Sequence, residues 1–465
     1  MPRDYEIDLS GGREAVIGLE IHVSLASKSK LFCDCFTNYH EVAPNVNVCQ
    51  TCLSQPGSKP FGVNEQAVEN AVKIALALGC KISSSEIVMQ RKHYWYPDLP
   101  SGYQRTSTPL GEEGALLGVR IREVHVEEDP GRYNLKTGQV DFNRSGVPLL
   151  EIVTEPDIRS PDQARAFLDE LQSILEYLGA AKKEAGSTRI DANVSVPGSS
   201  RVEVKNINSF KGVLTALTYE LARQKNLVKN GMKVEQETRH FDEDRGITLG
   251  LRKKESVDDY RYVPDPDVLP IAFESSFIHS VRSFLPELPR EKRARFEKQY
   301  SIKPEEAFAI CLEKETADAF EQIAKKTDAK AAANFMRGVL RKQLNFRDKA
   351  FSESGLSVDA IVELLGLVNS GEATEKVGEQ ILIKMLDEKV SPRRYAEQNG
   401  LLGVQSSSEV EAIVGKVVAE NSKVVADFKA GNEKSLHFLA GLVMKQTRGK
   451  ADPASVQKLL KKTLG

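Results

Sequence analysis

The sequence predicts an α+β protein, with mainly antiparallel strands toward the N-terminus and a helical C-terminal third. Three observations carry this. Val16–Val23 and Arg189–Val196 alternate polar and apolar residues with the period of two of a half-buried strand. Two helical periodicities, from Asn64 to Gly79 and from Ser160 to Gly179, are set among such strands. Beyond the Pro- and charge-rich stretch Pro286–Arg293, apolar residues recur near every 3.6 positions, with breaks at Gly355, Gly371 and Gly400.

Composition narrows the class. Hydrophobic residues make up 40% and charged residues 28%, ordinary for a globular chain. A net charge of −2 excludes a globally basic nucleic-acid binder, so any such surface must be local. No apolar run reaches the roughly 18 residues of a membrane span. The start, Met1-Pro2-Arg3-Asp4-Tyr5-Glu6, is polar and unlike a secretory leader. Six cysteines in 465 residues do not make a disulfide scaffold, so a reduced, cytoplasmic setting is expected.

In the first strand, Leu19, Ile21 and Val23 share one face, and Glu20 and His22 share the other. A carboxylate and an imidazole side by side suit a hard cation or proton transfer; a solvent-facing edge of polar residues is the plainer alternative. Cys33, Cys35, Cys49 and Cys52 follow as C-x-C and C-x-x-C. Two thiolate pairs joined by a loop fit a closed, structural zinc site, although the first spacer is one residue shorter than usual; four unliganded thiols are the alternative. Cys80 and Cys311 stand alone and read as buried core residues. Residues 91–104 are dense in aromatics and bases and are broken by Pro97, Pro100 and Gly102, a composition for a binding loop or for an aromatic mini-core. Val119–Val126 reads as a strand whose end carries Glu127, Glu128 and Asp129. Three consecutive carboxylates are tolerated in a solvated turn or around a cation. Asp141–Pro148 is a turn leading into an apolar strand, and Ser160-Pro161 opens the second helix.

The segment after Arg189 carries the densest pattern. Arg189, Asp191, Asn193 and Ser195 share a face, and Arg201, Glu203 and Lys205 alternate again after a short loop. As a hairpin, face parity pairs Ser195 with Arg201, Asn193 with Glu203, and Asp191 with Lys205. Acid, amide, acid and lysine on one rigid patch make a platform for metal and phosphate. A helix from about Phe210 to Asn230 follows. Two charged segments come next, one with Arg239 and one with Asp258, Asp259 and Arg261, and neither holds a Walker-type loop. From about Ser407 the chain carries Lys416, Lys423, Lys429, Lys434, Lys445, Arg448, Lys450, Lys458, Lys461 and Lys462, a basic helical tail suited to a polyanion or simply to solvent.

These stretches together resemble the B subunit of the heterotrimeric aspartyl/glutamyl-tRNA(Asn/Gln) amidotransferases, the GatB family. The matching residues include Val16–His22, Arg91–Pro100, Val126–Gly131, Asp141–Leu149, Arg189–Ser195, Glu203–Phe210, Gln236–Arg239, Asp259–Tyr262 and Gly441–Ala451. They run nearly the whole length in the family's order. There is no inserted domain between Asp267 and Glu305, unlike the longer archaeal relative. The resemblance implies a catalytic cradle over 1–293 with a zinc-binding insert at 33–52, a site arranged like that of glutamine synthetase, a helical domain over 294–400, and a YqeY-like tail over 401–465 that touches tRNA. It implies an ATP-dependent ligase that phosphorylates the side-chain carboxylate of Asp or Glu misacylated onto tRNA(Asn) or tRNA(Gln). Ammonia channelled from a glutamine-hydrolysing partner then gives the amide.

By the same resemblance Glu20, His22, Glu127 and Glu128 are Mg²⁺ ligands, with Asp191 and Glu203 as further candidates. Lys205 neutralises the transferring phosphate. Asn193, Asn206, Arg239 and Arg261 join the nucleotide-binding set. Lys92, Tyr94 and Asp98 sit where the ammonia channel opens, and the cysteine pairs match the family's zinc-bearing branch. The implied partners are the amidase (GatA-type) subunit, a small GatC-type subunit and misacylated tRNA, with no membrane. A non-catalytic zinc-containing tRNA-binding subunit is the competing reading, and a stand-alone ligase for a free amino acid is a third.

Overall fold

One face of a single sheet collects polar side chains from neighbouring strands, and the sheet's construction explains how. The computed structural model describes residues 15–134, 136–184, 186–253, 260–402, 407–429, 432–447, 451 and 453–464. The chain divides into two units, Met1–Pro289 and Arg290–Gly465.

The first unit runs β1 (Val16–Ser24), α1 (Glu65–Ala77), β2 (Lys81–Ile82), β3 (Met89–His93), β4 (Tyr103–Ser107), β5 (Gly111–Leu116), β6 (Val119–Glu128), β7 (Arg132–Tyr133), β8 (Val140–Asp141), β9 (Pro148–Thr154), α2 (Pro161–Leu178), β10 (Thr188–Ser195), β11 (Val202–Ile207), α3 (Phe210–Lys229), β12 (Glu237–Asp242), β13 (Ile247–Lys253), β14 (Val263–Pro264) and α4 (Ser275–Ser283). Among the described residues twelve strands form one sheet, in the order β13-β12-β11-β10-β1-β9-β6-β4-β3-β14, with β5 beside β6 and β2 beside β5. The central pairings are antiparallel, and β11 with β12 is parallel. β7 and β8 form a separate hairpin.

The helices begin where the sequence signals them. Asn64 caps α1 by accepting from the Ala67 amide at 3.0 Å, Ser160 caps α2 through Gln163, and Ser209 caps α3 through Gly212. Their apolar stripes pack on one face of the sheet. Ile17, Leu19, Ile21 and Val23 of β1 are at most 1% exposed and share a core with Ala71, Phe167, Leu171, Ala216 and Leu217. The opposite sheet face therefore carries the alternate, polar residues.

Two sequence expectations change here. Residues 91–104 are not one loop: their ends belong to β3 and β4, which pair from Met89–Ser107 to His93–Tyr103. Pro97, Pro100 and Gly102 punctuate only the connection between them. The acidic run is not a turn either. Pairing with β9 continues past the apolar stretch, Glu127 opposite Leu149 and Glu128 opposite Pro148, so both glutamates are strand residues pointing to opposite sides.

In the second unit helices lie between Arg290 and Gln398, and four more, Ser407–Glu420, Ser422–Lys429, Glu433–Gln446 and Pro453–Leu464, share a separate core of Val414, Val417, Leu439, Val443, Val456 and Leu460. On these tail helices Lys416, Lys423, Lys434, Lys445, Lys458, Lys461 and Lys462 are exposed. Arg448 and Lys450, like Asp258 and Asp259, lie outside the described residues. Among the described residues no helix is long and apolar enough to cross a membrane.

Candidate functional site

The polar sheet face gathers its acids into two clusters around β1. Antiparallel register sets Glu20 opposite Asp191 and His22 opposite both Glu151 and Arg189. Glu20, Asp191 and Glu203 offer oxygens that all lie within 4.8 Å of one another, as do the ligand atoms of His22, Glu127 and Glu151. His22 Nε2 is 3.6 Å from both Glu127 and Glu151. Glu20 and His22 are neighbours on one strand face, so the two clusters adjoin.

Each cluster faces a lysine. Lys205 Nζ donates to Asp191 Oδ2 at 2.9 Å and stands 3.5 Å from Glu203. Burial works against the Lys205 charge, but Asp191 and Glu203 outweigh it and hold the ammonium above the usual lysine range. Burial likewise opposes the Asp191 charge, and Lys205 and His22 win, holding that carboxyl below the usual range. At the other cluster, burial is overcome by Lys92 and His22, so Glu127 stays low. Glu151 goes the other way. Burial and the neighbouring Glu127 push it up to about 7, against His22 and Lys92. Two carboxylates this close split their proton affinities, as like charges must.

The expected hairpin register holds where it matters. Asn193 is opposite Glu203, and its Nδ2 donates to Glu20 Oε1 at 3.0 Å. The ladder then shifts between Ile190 and Ala192, and Asn206 takes a left-handed φ of 65°. This bulge turns the Asn206 amide toward Asp191 Oδ1 and its side chain toward His240 Nδ1, at 3.2 and 3.1 Å.

Lys92 and Tyr94 lie close to the second cluster, and Asp98 stands on the connection between β3 and β4. Lys92 stands 5.0 Å from the Tyr260 ring centroid. Burial opposes its charge, but Glu127 and Glu151 raise its proton affinity. The Tyr94 hydroxyl donates to Gln104 Oε1 at 3.1 Å, and Gln104 donates to Glu127 Oε2 at 3.2 Å. Asp98 is pushed up by burial and pulled back by Arg144.

Three sequence candidates sit elsewhere. Glu128 leaves the polar face: Arg105 grips it through its backbone amide at 3.0 Å and its guanidinium at 3.3 Å, and Arg105 in turn binds the buried Asp265 at 2.7 Å. Strand alternation is the reason, since Glu127 and Glu128 cannot face the same way. Arg239 lies opposite Val204, a core-facing residue, so it points toward α3. There it donates to Glu237 and Thr248 and stands 3.5 Å from the fully buried Glu220. His240, opposite Lys205, takes the polar-face position instead. Arg261 is exposed at a left-handed φ of 44°, and its carbonyl oxygen contacts His93 Nδ1 at 2.9 Å. Glu151, His125 and His240 are polar-face residues that the sequence left unmarked, and Gln104, bonded to Glu127, is another.

The cysteines converge as expected. The sulfurs of Cys33, Cys35, Cys49 and Cys52 all lie within 4.8 Å of one another. Tetrahedral zinc with Zn–S near 2.3 Å needs sulfurs roughly 3.8 Å apart, so this donor set fits the ion. Cys52 is pushed down to about 5, first by a hydrogen bond from Cys33, then by Lys30. Cys33 is raised by the same bond and by burial. Cys80 and Cys311 are buried and isolated.

These features define an α+β protein whose open sheet holds two adjoining acidic clusters, each balanced by a lysine. The chain belongs to the GatB family: a family model for the GatB/GatE catalytic domain matches residues 15–279, and one for the GatB domain matches residues 318–464. Relatives named as the B subunit of aspartyl/glutamyl-tRNA(Asn/Gln) amidotransferase agree along almost their entire length. The protein of Methanobrevibacter smithii is 51% identical over 447 residues, covering 96% of this chain and 99% of the relative. That of Methanothermobacter thermautotrophicus is 49% identical and that of Methanosphaera stadtmanae 45%, with the same coverage.

Proposed function

We propose that this chain is the GatB-type subunit of a tRNA-dependent amidotransferase and carries the ATP-dependent step. A side-chain carboxylate is a poor electrophile. Phosphorylating the Asp or Glu carried by a misacylated tRNA(Asn) or tRNA(Gln) gives an acyl phosphate, and attack by ammonia then releases phosphate and leaves the amide. Phosphoryl transfer needs positioning and charge neutralisation more than covalent help. The single observation that carries the reading is the pairing of two acidic clusters with Lys205 and Lys92 on one rigid sheet face.

Each residue has a task in that chemistry. Glu20, Asp191 and Glu203 would hold one Mg²⁺, and His22, Glu127 and Glu151 a second; oxygen-rich sets suit a hard cation. Bound there, the ions would offset phosphate charge. Lys205 faces the transferring phosphoryl group, and Asn193, Asn206 and His240 supply hydrogen bonds around it. Lys92 and Tyr94, with Asp98 behind them, guide ammonia in and keep it unprotonated. The four cysteines hold a structural zinc. The reading includes a heterotrimer with an amidase (GatA-type) subunit and a small GatC-type subunit, in the cytoplasm. It also includes a catalytic region at 1–293, a helical region at 294–400 and a tRNA-contacting tail at 401–465, on which the exposed lysines face the tRNA backbone.

Glu20→Gln and His22→Ala test the reading in the reconstituted complex. Both should abolish ATP-dependent formation of amidated aminoacyl-tRNA while glutamine hydrolysis by the partner survives. Amidation near the wild-type rate in both variants would overturn the metal-site assignment. Truncation after about residue 400 should raise KM for tRNA more than for ATP. Equal effects on both would remove the tail from tRNA binding.

A further inference from the structure

Lys30 is among the most deeply buried side chains of the protein, 1% exposed, and it stands beside the cysteine cluster. Its ammonium donates to the Asn47 carbonyl at 2.8 Å, to the Phe142 carbonyl at 3.4 Å and to Cys52 Sγ at 3.5 Å. A buried ammonium is costly unless an opposite charge lies within reach. Two carbonyls supply dipoles only. The sulfur of Cys52, as a thiolate, supplies the missing charge. The need is mutual. Four thiolates around a divalent ion leave two uncompensated negative charges, and one ammonium halves that excess.

The backbone around Lys30 ties the cluster to the sheet. The Lys30 amide donates to the Cys35 carbonyl at 3.0 Å, and the next residue, Leu31, donates to Gly146 at 2.8 Å. Ser145 Oγ donates to the Cys52 carbonyl at 3.1 Å. The Gly146 amide donates to the Asp129 carbonyl, and the Asp129 amide to Val147, both at 2.8 Å. Gly146 has φ +83°, and a Cβ there would lie 3.6 Å from the Lys30 chain and 3.7 Å from Cys52 Cβ. The segment that follows Glu127 and Glu128 is thus strapped to the same lysine and cysteine. Arg144, on the strap, donates to the Pro130 and Gly131 carbonyls at 3.0 and 2.6 Å.

We propose that Lys30 is a positioning residue, the built-in counter-charge of the four-thiolate site, and that through it metal binding holds the Asp129–Gly131 segment at the edge of the catalytic face. The proposal rests on the zinc reading given above. Outer-shell partners of metal ligands change metal affinity by about 10- to 100-fold when removed. Without the ammonium the ion leaves sooner, and the sulfurs it had covered are open to alkylation.

The test uses the full chain in its complex, with three variants. Lys30→Met keeps the length and loses the charge, Lys30→Gln keeps donors without charge, and Lys30→Arg keeps the charge and changes the shape. Metal analysis of the wild type comes first; absence of zinc from zinc-loaded protein would sink the zinc reading and this proposal with it. With one zinc per chain established, zinc transfer to a chromogenic chelator and cysteine alkylation by iodoacetamide are timed. Both should run about tenfold faster or more in Lys30→Met and Lys30→Gln, with Lys30→Arg closer to wild type. Exchange of the Asp129 and Gly131 amides should rise in step with zinc loss. Zinc retention in either neutral variant equal to wild type, or a ranking in which Lys30→Arg is the worst, would show that Lys30 acts by shape alone and would overturn the proposal. If Lys30→Met does not fold, the Lys30→Gln and Lys30→Arg pair decides the same question.

Discussion

Lys205→Met removes an ammonium that touches the Glu20–Asp191–Glu203 cluster through a hydrogen bond to Asp191. Its Nζ lies 2.9 Å from Asp191 and 3.5 Å from Glu203. At an effective dielectric constant near 20, these pairs are worth about 6 and 5 kcal/mol of attraction. Desolvation and the partial exposure of the ammonium offset much of that, and breaking this part-buried pair nets about 3 kcal/mol. At about 2–4 °C per kcal/mol for a large domain, Tm should fall by about 6–12 °C in chelator. The remedy separates a metal site from a simple ion pair. In the variant three carboxylates stand close with no lysine, so Mg²⁺ should bind them more tightly. At a hundred times its Kd the ion returns about 2.7 kcal/mol, nearly the whole loss. Differential scanning calorimetry with chelator and with Mg²⁺, on wild type and variant, reads this directly. The Mg²⁺-induced rise in Tm should be clearly larger in the variant, while amidation stays low because the charge opposite the phosphoryl group is gone. Equal Mg²⁺ increments in both proteins would refute the reasoning, since the cluster would then not be a cation site that Lys205 competes for.

The two adjacent glutamates should separate by phenotype. Glu127→Gln should abolish amidation, whereas Glu128→Gln should lower Tm by about 5 °C through Arg105 and leave most of the activity, as parallel amidation and melting assays would read. Asp265 is buried and bonds both Arg91 and Arg105, and although burial opposes its charge, those bonds hold its carboxyl below the ordinary value. A depressed folded pKa gives stability that is complete above the unfolded value, about 4, and is lost as pH falls through the folded value. The stability gap between wild type and Asp265→Asn should therefore be constant above about pH 5 and close below about pH 4 in acid titrations. Glu220, fully buried, accepts from Arg223, Gln224 and Thr248; Glu220→Ala should cost about 3 kcal/mol in urea melts without altering KM for ATP.

What the sequence disclosed and withheld follows from the range of its signals. Period-two alternation is local, so Glu20 and His22 were readable as neighbours on one face. The hairpin loop was short enough to count, so Asn193 opposite Glu203 was readable too. Glu127 against Glu128 depended on where β6 stops, and apolar content suggested an end two residues early. Backbone pairing with β9 carries the strand onward with no apolar residue to mark it. Glu151 had a faint signal, the lone acid in Pro148–Thr154 amid Leu149, Leu150, Ile152 and Val153. Apolar runs read as buried on both faces, which hid its role. Arg239 failed for another reason. β12 lies parallel to β11 after a long connection through α3, so no turn length fixes which of its residues face the clusters.

The sheet order also explains why so much charge survives on one face. β1 lies between β10 and β9, so its two titratable residues, Glu20 and His22, each reach a different neighbour. A single strand thereby divides five carboxylates into two groups and places its own imidazole beside Glu127 and Glu151. Gathered at one point, those acids would raise one another's proton affinity and take up protons from water. Split by β1, each group needs only one lysine, and the two lysines come from opposite ends of the polar face, Lys205 on β11 and Lys92 on β3. The arrangement predicts that charge reversal cannot be exchanged between groups. A Lys92→Glu variant should not be rescued by Glu203→Lys, although the pair conserves net charge, because β10, β1, β9, β6 and β4 lie between them. Rescue of amidation by that double variant would show that only the summed charge of the face matters, and the two-cluster description would have to be abandoned.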